Sequence, residues 1–396
     1  MLRQRLYEVL LYARDHTAFW GSRIPARFSP GDTWSVYEEL PTSCADDLSE
    51  DLLRFESREF GPGSSYLTTT GGTGRRPTPI RLSNKSFGAE WAHIHHLWGQ
   101  VGYVRRRDTK LTLRGKHLAG SRVVRFNPIY NEIVVDTFRL GRENFGEVVQ
   151  AVSRWGARYV HGYPSLVREF AERCREAQWW PRFRGILLGS EGSSLQERAA
   201  LREQFGCPVV AWYGQSEKVI LAGDVNESGR YVVYTSYGFP DVVEGENGWG
   251  ELIGTSFVNR ALPLVKYRTG DFARVVAEGD ALYLTDVVGR WGRDFIYLSR
   301  DKRVPSAAIN LHSSIQEKLL FYQIRQSAYG RVTVFVLPKR ECGMPDDELA
   351  SSLARELGEK LRGCEIKVVV THRESDMVRS ARGKLMLIVQ ELEGLA

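Results

Sequence analysis

The sequence predicts an α/β protein with a large N-terminal domain and a small C-terminal one. Three observations carry this expectation. Strand and helix signals alternate between Gly156 and Glu217. Short strands of meander type follow between Gly250 and Gly289, and a second strand–helix alternation begins after Arg293. With 396 residues, the chain is long enough for such an arrangement around at least one large core. The expected domains are 1–293, mostly parallel helix-covered sheet plus a β-meander or barrel part, and 294–396, a small α/β domain.

The elements follow in order. "MLRQRLYEVLLYARDHTAFW" has an apolar run broken by Arg and Glu, which makes it an amphipathic helix and not a signal peptide. "SYLTTT" and "TPIRLS" are strands around a Gly-rich loop. "ARYVHGYPS" is an apolar run ending in turn residues. "SLVREFAERCREAQ" places Leu166, Phe170 and Cys174 on one helical face. "RGILLGSEG" is a buried strand with a glycine stop, and "SLQERAALREQFG" is a helix with Ser194 as N-cap and Gly206 at its C-terminal end. "CPVVAWYGQSE" is again a strand running into a polar turn. This β-α-β-α-β order implies a parallel sheet, and ligands of such sheets sit beyond the carboxyl ends of the strands. "HGYPS", "GSEG" and "YGQSE" are therefore expected on one edge. "GELIGTSF", "ALPLVKYRTGDFARVV" and "ALYLTDVVG" make the meander. In the last part "RVTVFVLPKR" and "EIKVVVTHRE" are strands flanking the helix "PDDELASSLARELGEKLRG", and a loop leads on to "ARGKLMLIVQEL".

Composition narrows the classes. The net charge of +6 is mild and spread along the chain, so no nucleic-acid partner is expected. Arg105-Arg106-Arg107 is the sharpest basic run; it is a solvated surface or a contact for a phosphate-bearing or acidic partner. Five cysteines, far apart and without a CxxC pair, favour reduced thiols in the cytoplasm and argue against a zinc ribbon. No apolar run has the length of a membrane span.

The loop inside "SSYLTTTGGTGRRPTPIRLS", Ser64–Ser83, fits neither GxxxxGK[ST] nor GxGxxG. Successive glycine and threonine N–H groups nevertheless form an anion-binding nest without a helix dipole. Thr69, Thr70 and Thr73 add hydroxyls, and Arg75 or Arg76 adds charge. The plain alternative is a polar connection with no ligand. Three further residues bear on it: Glu217 in "YGQSE", Asp271 after a tight Thr-Gly turn in "YRTGD", and Lys384 in "GKLM". Each has a structural reading of its own: Glu217 caps a helix or pairs with Lys218, Asp271 finishes a turn, Lys384 is solvated. Their occurrence together, in this order, argues for a site.

In that order the motifs resemble the adenylate-forming superfamily of acyl-CoA synthetases and adenylation domains, in particular the phenylacetate–CoA ligase branch with its CapK-type proteins of capsule loci. "TTGGTGRRPT" resembles the phosphate loop, "HGYPS" the acceptor-pocket segment, "GSEG" the glycine–glutamate turn and "YGQSE" the aromatic–glycine–x–Ser/Thr–Glu motif. "GWGELIGTSFVNRALPLVKYRTGD" resembles the segment ending at the ribose-binding aspartate. The likeness spans about residues 5–390, and the last two motifs are its most specific parts.

The resemblance implies ATP-dependent activation of a carboxylic acid to an acyl-adenylate, then transfer of the acyl group to a nucleophile. It implies a mobile C-terminal domain as well. Thr69, Thr70, Gly71, Gly72, Thr73, Gly74 and Arg75 would cradle the outgoing phosphates. Tyr213, with Gly214 and Ser216, would pack on the adenine side, and Asp271 would take the ribose hydroxyls. Glu217 would hold Mg²⁺. Lys384 would bridge the reacting carboxylate and the α-phosphate, delivered by domain movement about Asp294. Of the arginines in "GRWGRD", Arg290 is preferred to Arg293 on the ribose side, because Gly289 follows a strand.

The pocket implied for the acid consists of Tyr163, Pro164, Ser165, Gly189, Ser190 and Glu191, with Tyr237 and Gly238 beside them. Its residues allow an aromatic or a small polar acid. CoA is the default acceptor of such enzymes; an amine or hydroxyl on a saccharide is the alternative. The family's usual lysine is replaced by Arg75, and Arg76 is extra. Where some relatives carry a Cys/His zinc site, "KVILAGDVNESGRYVV" has neither residue, so no zinc is expected. His93, His95 and His96 lie on a predicted helix and are taken as structural. A non-catalytic nucleotide-binding protein on the same fold would have no need of Glu217, Asp271 and Lys384 together.

Overall fold

The computed structural model describes residues 1–70, 78–141, 143–246, 248–288, 295–300, 302–305, 309, 311, 315–339, 342–378 and 388–392. Its strands in the first half are β1 (Ser65–Thr69), β2 (Pro79–Ser83), β3 (Lys110–Lys116), β4 (Val124–Asn127), β5 (Glu132–Asp136), β6 (Tyr159–Gly162) and β7 (Gly185–Leu188). Then come β8 (Val209–Gly214), β9 (Leu221–Asp224), β10 (Tyr231–Val233), β11 (Gly238–Glu246), β12 (Trp249–Ser256), β13 (Tyr267–Glu278) and β14 (Ala281–Val288). The C-terminal part holds β15 (Phe295–Tyr297), β16 (Arg303–Pro305), β17 (Leu319–Ala328), β18 (Arg331–Pro338), β19 (Glu365–Val370) and β20 (Ile388–Gln390). The protein is a mixed α/β structure with large sheets, as expected.

Contacts group the chain into two compact units. One contains residues 1–70, 78–108 and 181–288; the other contains 109–180 and the chain beyond 290.

In the first unit β1 and β2 pair antiparallel, with Thr69 opposite Pro79, so the Gly-rich segment does connect two strands. The unit's larger sheet runs β11-β12-β13-β14-β10-β9-β8-β7. Strands β7 and β8 are parallel, with Ile186 opposite Val209. Their connection is the helix Leu195–Phe205, which starts in a Ser194–Glu197 capping box and ends at Gly206 in the left-handed region, φ 63°. From β8 onward the neighbours are antiparallel. One expected strand is shorter than its apolar run. "ALPLVK" is not part of β13 but a buried loop, in which Leu262, Leu264 and Val265 are fully covered. Pro263 lacks the N–H a ladder needs, and its carbonyl instead accepts the Trp20 indole N–H at 3.1 Å. The N-terminal helix Leu2–His16 is amphipathic, burying Leu6, Val9, Leu10 and Ala13 against Trp20 and Val36.

In the second unit β3 lies between β6 and β5, parallel to both, and β4 closes the edge antiparallel to β5. The helix Pro164–Glu176 follows β6 and buries Leu166, Phe170 and Cys174, the face read from the sequence. Nearer the C-terminus the order is β19-β18-β17-β20. The helix Asp346–Lys360 makes the crossover from β18 to the parallel β19 and buries Leu349, Leu353 and Leu357 on Ile324 and Val334. Two ion pairs join the unit's parts: Lys302–Glu169 at 3.6 Å and His117–Glu359 at 3.8 Å. Among the described residues no helix is long and apolar enough to cross a membrane.

Candidate active site

Strand β8 delivers Trp212, Tyr213 and Gly214 to a turn, 215–220, that leads back into β9. Tyr213 is buried, and its hydroxyl donates to Asp271 Oδ2 at 2.8 Å while accepting from Gln215 Nε2 at 2.6 Å. Burial pushes the Tyr213 phenol well above its ordinary pKa, and the Asp271 charge beside it pushes the same way. The phenol therefore stays protonated and keeps donating.

Asp271 does not follow a turn, as the Thr-Gly pair suggested. It sits within β13 at a bulge: the register steps from Glu251 opposite Phe272 to Ile253 opposite Arg268. Thr269, Gly270 and Asp271 thus share the space of Leu252, and Gly270 takes φ 75°. Thr269 Oγ1 locks the bulge by donating to the Leu252 carbonyl at 2.8 Å and accepting the Asp271 N–H at 3.1 Å. The Gly270 N–H donates to Glu251 Oε1 at 3.2 Å. Such bulges re-aim a side chain relative to the regular ladder; here the side chain is the Asp271 carboxylate.

Glu217 is 5% exposed and accepts from the Tyr267 hydroxyl at 3.1 Å through Oε1. Its other oxygen has no hydrogen-bond partner among the described residues. Tyr267 begins β13, so one strand supports both carboxylates, directly as Asp271 and through Tyr267 for Glu217. Lys218 does not pair with Glu217. Its backbone is left-handed, φ 61°, and the side chain leaves the turn toward the helix Asn84–Gly99, where Nζ meets Glu90 Oε2 at 2.6 Å.

The other expected residues divide between the units. Gly189 follows β7, and a Cβ there would lie 2.1 Å from the Trp212 indole nitrogen, so the indole fills the space that glycine leaves. Next to it Ser190 has φ 70°, and Glu191 is partly buried. A Cβ on Gly238 would meet the Val219 carbonyl oxygen at 1.9 Å, which seats Tyr237–Gly238 against the turn after Glu217. A Cβ on Gly214 would lie 3.0 Å from the Trp212 ring and 3.2 Å from the Leu221 side chain, a looser fit, and Ser216 is exposed. Tyr163 and Pro164 belong to the other unit. There Pro164 opens the helix Pro164–Glu176, and the Arg114 guanidinium lies over the Tyr163 ring at 5.4 Å. The Ser165 side chain is outside the described residues. Thr70 closes the base of the Gly-rich segment, its N–H donating to the Thr78 carbonyl at 2.9 Å and its Oγ1 accepting the Thr78 N–H at 3.1 Å. Gly71, Gly72, Thr73, Gly74, Arg75, Arg290, Asp294 and Lys384 lie outside the described residues.

His93 and His96 have structural partners: His93 Nε2 meets Ser236 Oγ at 2.8 Å, and His96 Nδ1 meets the Tyr234 hydroxyl at 3.1 Å. Among the described residues no group of three or more His, Cys, Asp or Glu side chains gathers to hold a metal. Sequence reasoning missed Tyr267 as the support of Glu217, Gln215 as the support of Tyr213, and Glu90 as the partner of Lys218. The first two stand inside motifs already singled out, "YRTGD" and "YGQSE". Glu90 carries no signal of its own.

No protein-family model matches the chain. Among solved structures, a 2-hydroxyisobutyryl-CoA ligase in complex with 2-HIB-AMP and CoA, in its thioesterification state, matches with a TM-score of 0.60 and 16% identity, over 99% of this chain and 89% of that one. The same ligase in its postadenylation state with 2-HIB-AMP matches with a TM-score of 0.57 and 15% identity, over 98% and 88%. The fold is therefore that of the adenylate-forming ligases, the class the motifs resembled. Closer in sequence is protein CapK of Staphylococcus aureus, 20% identical over 328 residues that cover 79% of this chain and 72% of that protein.

Proposed function

We propose that the protein is an AMP-forming ligase. It activates a carboxylic acid with ATP and passes the acyl group to an acceptor, CoA by default. In the first step a carboxylate oxygen attacks the α-phosphorus, and the bond to the β-phosphate breaks to release pyrophosphate. In the second a nucleophile attacks the acyl carbonyl, and the bond to AMP breaks. The observation that supports this most is the meeting of Tyr213 with Asp271 at the carboxyl end of β8, with Glu217 held by Tyr267 from the same strand as Asp271.

In this reading Asp271 accepts the ribose hydroxyls, with Tyr213 and Gln215 fixing its direction. Thr69 to Gly74 and Arg75 bind the leaving phosphates, and Arg290 supports the ribose. Lys384 neutralises charge between the carboxylate and the α-phosphate. The donor set fits Mg²⁺: a hard cation takes oxygen ligands, and Glu217 offers a buried carboxylate with an oxygen to spare. Bound there, Mg²⁺ would offset phosphate charge. The acid is assigned to Gly189, Ser190, Glu191, Tyr237 and Gly238; Tyr163, Pro164 and Ser165 are the further residues that the family likeness implies for it. The domain 294–396 moves about Asp294 between the two steps, since Lys384 and the acceptor need the same carbonyl in turn.

ATP–pyrophosphate exchange with a panel of carboxylic acids, with and without CoA, tests the reading. Acid-dependent exchange is expected, and its absence across the panel would overturn the assignment. Asp294→Pro fixes φ and removes an N–H at the proposed hinge. It should impair transfer far more than adenylation, so that acyl-adenylate accumulates in a quenched single turnover. Transfer to an amine or hydroxyl of a saccharide is the second reading, favoured by the likeness to CapK. Turnover that amino sugars stimulate and CoA does not would select it.

A further inference from the structure

We propose that the turn of the β4–β5 hairpin, residues 127–131, docks the protein on an anionic lipid surface. Ile129 and Tyr130 enter the headgroup boundary, and Arg125, Arg154 and Arg158 meet lipid phosphates. All of these residues belong to the second unit. Ile129 is 77% exposed, and Tyr130 beside it is 44% exposed. Their turn is held in shape from several sides. The Ile129 N–H donates to Asn127 Oδ1 at 3.2 Å, Lys110 Nζ donates to the Tyr130 carbonyl at 2.9 Å, and the Lys110 N–H donates to the Asn131 carbonyl at 3.1 Å. Asn131 takes φ 47°, a left-handed conformation that asparagine tolerates.

Printed contacts tie the arginines to this turn. The helix Phe145–Trp155 ends with the Trp155 ring stacked on Phe126, one residue before the turn, at 5.2 Å and 10°. The Arg154 guanidinium lies over that indole at 5.4 Å. Arg158 directly precedes β6. Its N–H donates to the Thr109 carbonyl at 2.9 Å, and Thr109 Oγ1 donates to Asn131 Oδ1 at 3.0 Å. Arg125 stands in β4, two residues before Asn127. The three arginines are exposed, and none of them forms an ion pair among the described residues. Neither 121–131 nor 150–160 contains an Asp or Glu, and the next carboxylate along the chain, Glu132, is buried against Lys110 and Thr112. Charge and apolarity together choose the partner. A soluble polyanion would need the arginines and gain nothing from an exposed isoleucine. A bilayer offers both: anionic headgroups for the guanidiniums, and hydrocarbon beneath them for the side chains of the turn. A tyrosine, with an apolar ring and a polar end, suits that boundary. Arg158 and Tyr163 flank opposite ends of β6, so the docking surface and a residue implied for the acid pocket are separated by the length of the strand.

Co-sedimentation of the intact protein with vesicles tests this. Binding is compared between phosphatidylcholine alone and equal parts of phosphatidylcholine and phosphatidylglycerol, at low and at high salt. The three arginines should favour the mixed vesicles by roughly tenfold or more at low salt, and far less at high salt. Ile129→Ser with Tyr130→Ser keeps every charge and should weaken binding to mixed vesicles roughly tenfold. Arg154→Gln with Arg158→Gln should weaken it by a similar factor. These positions are exposed, so unfolding midpoints are expected to match the wild type. Ile129→Ser alone repeats the test if the double variant loses stability. No binding to mixed vesicles would overturn the proposal. Binding that Ile129→Ser with Tyr130→Ser retains in full would overturn it as well, since that marks a surface for anions of any kind. A self-associated wild type that the same variant turns into monomers, seen by sedimentation velocity without lipid, would assign the turn to a second copy of the chain and not to lipid. None of these outcomes bears on acid activation, which ATP–pyrophosphate exchange reads separately.

Discussion

Strands β8 and β9 carry a buried carboxylate at each end of their pairing, and the two are treated very differently. At the base, Asp224 lies opposite Ala211 and is saturated by the protein itself. Arg198 Nη1 donates to it at 2.7 Å, and the N–H groups of Ser228 and Gly229 donate at 3.1 and 2.8 Å. Arg198 in turn donates to the Tyr231 hydroxyl at 3.2 Å. At the tip, Glu217 is buried too, 5% exposed against 1% for Asp224, but has a single phenol and no cation among the described residues. The base has its partners within the protein, whereas the carboxylate at the tip has one hydrogen bond among the described residues. Burial of a charge thus says little about function until its partners are counted.

The contrast can be broken most decisively by stability. Arg198→Ala would leave the Asp224 charge buried without its cation, at a cost of about 3–5 kcal/mol, read from denaturant unfolding. Glu217→Gln keeps an acceptor for Tyr267 and removes an uncompensated charge, so its unfolding midpoint should hold or rise. Comparable losses in the two variants would mean that Glu217 is structural and the difference between base and tip is false.

Activity should show the reverse order. Glu217→Gln and Lys384→Ala are each expected to slow ATP–pyrophosphate exchange roughly a hundredfold or more, about 2.7 kcal/mol of transition-state stabilisation. Near-normal exchange in Lys384→Ala would remove that lysine from the reaction. A normal Glu217→Gln enzyme would leave the free carboxylate oxygen without a purpose.

The base and the tip also differ in how far the sequence reveals them. The helix Leu195–Phe205 that carries Arg198 is bounded by the Ser194 and Gly206 signals, because caps are local chemistry. Leu166, Phe170 and Cys174 form one buried face for the same reason: period alone places them. At the tip, Tyr213, Glu217 and Asp271 were found as members of a motif order, not from their contacts. Glu90 and Lys218 are 128 positions apart, and nothing local in either residue specifies the other. The bulge that aims Asp271 was misread as a turn, since Thr-Gly is compatible with both and only the register against Leu252 distinguishes them. Strands β3 to β5 left no strong local pattern, and their placement is decided by pairing.

The smallest expected effect tests the finest part of the comparison, whether the tip is arranged around a ligand or merely tolerates one. Tyr213→Phe keeps the ring and deletes only the hydroxyl that donates to Asp271. One hydrogen bond to a charged, buried acceptor is lost, and Gln215 loses its acceptor at the same time. The remaining carboxylate can still reach a ribose, so the cost should be modest, about 1 kcal/mol or roughly fivefold in ATP affinity. Two controls sharpen it. For a nucleotide lacking both ribose hydroxyls, the loss should shrink toward nothing, because Asp271 then has no acceptor role to perform. The wild-type advantage should also stay constant as pH rises from 7 to 9. Burial raises the Tyr213 pKa, so the phenol remains neutral and donating throughout that window. An advantage that falls across it would mean the phenol ionises and cannot be Asp271's permanent donor. An equal loss for both nucleotides would mean that Tyr213 supports the fold of the tip and not its hold on the ribose.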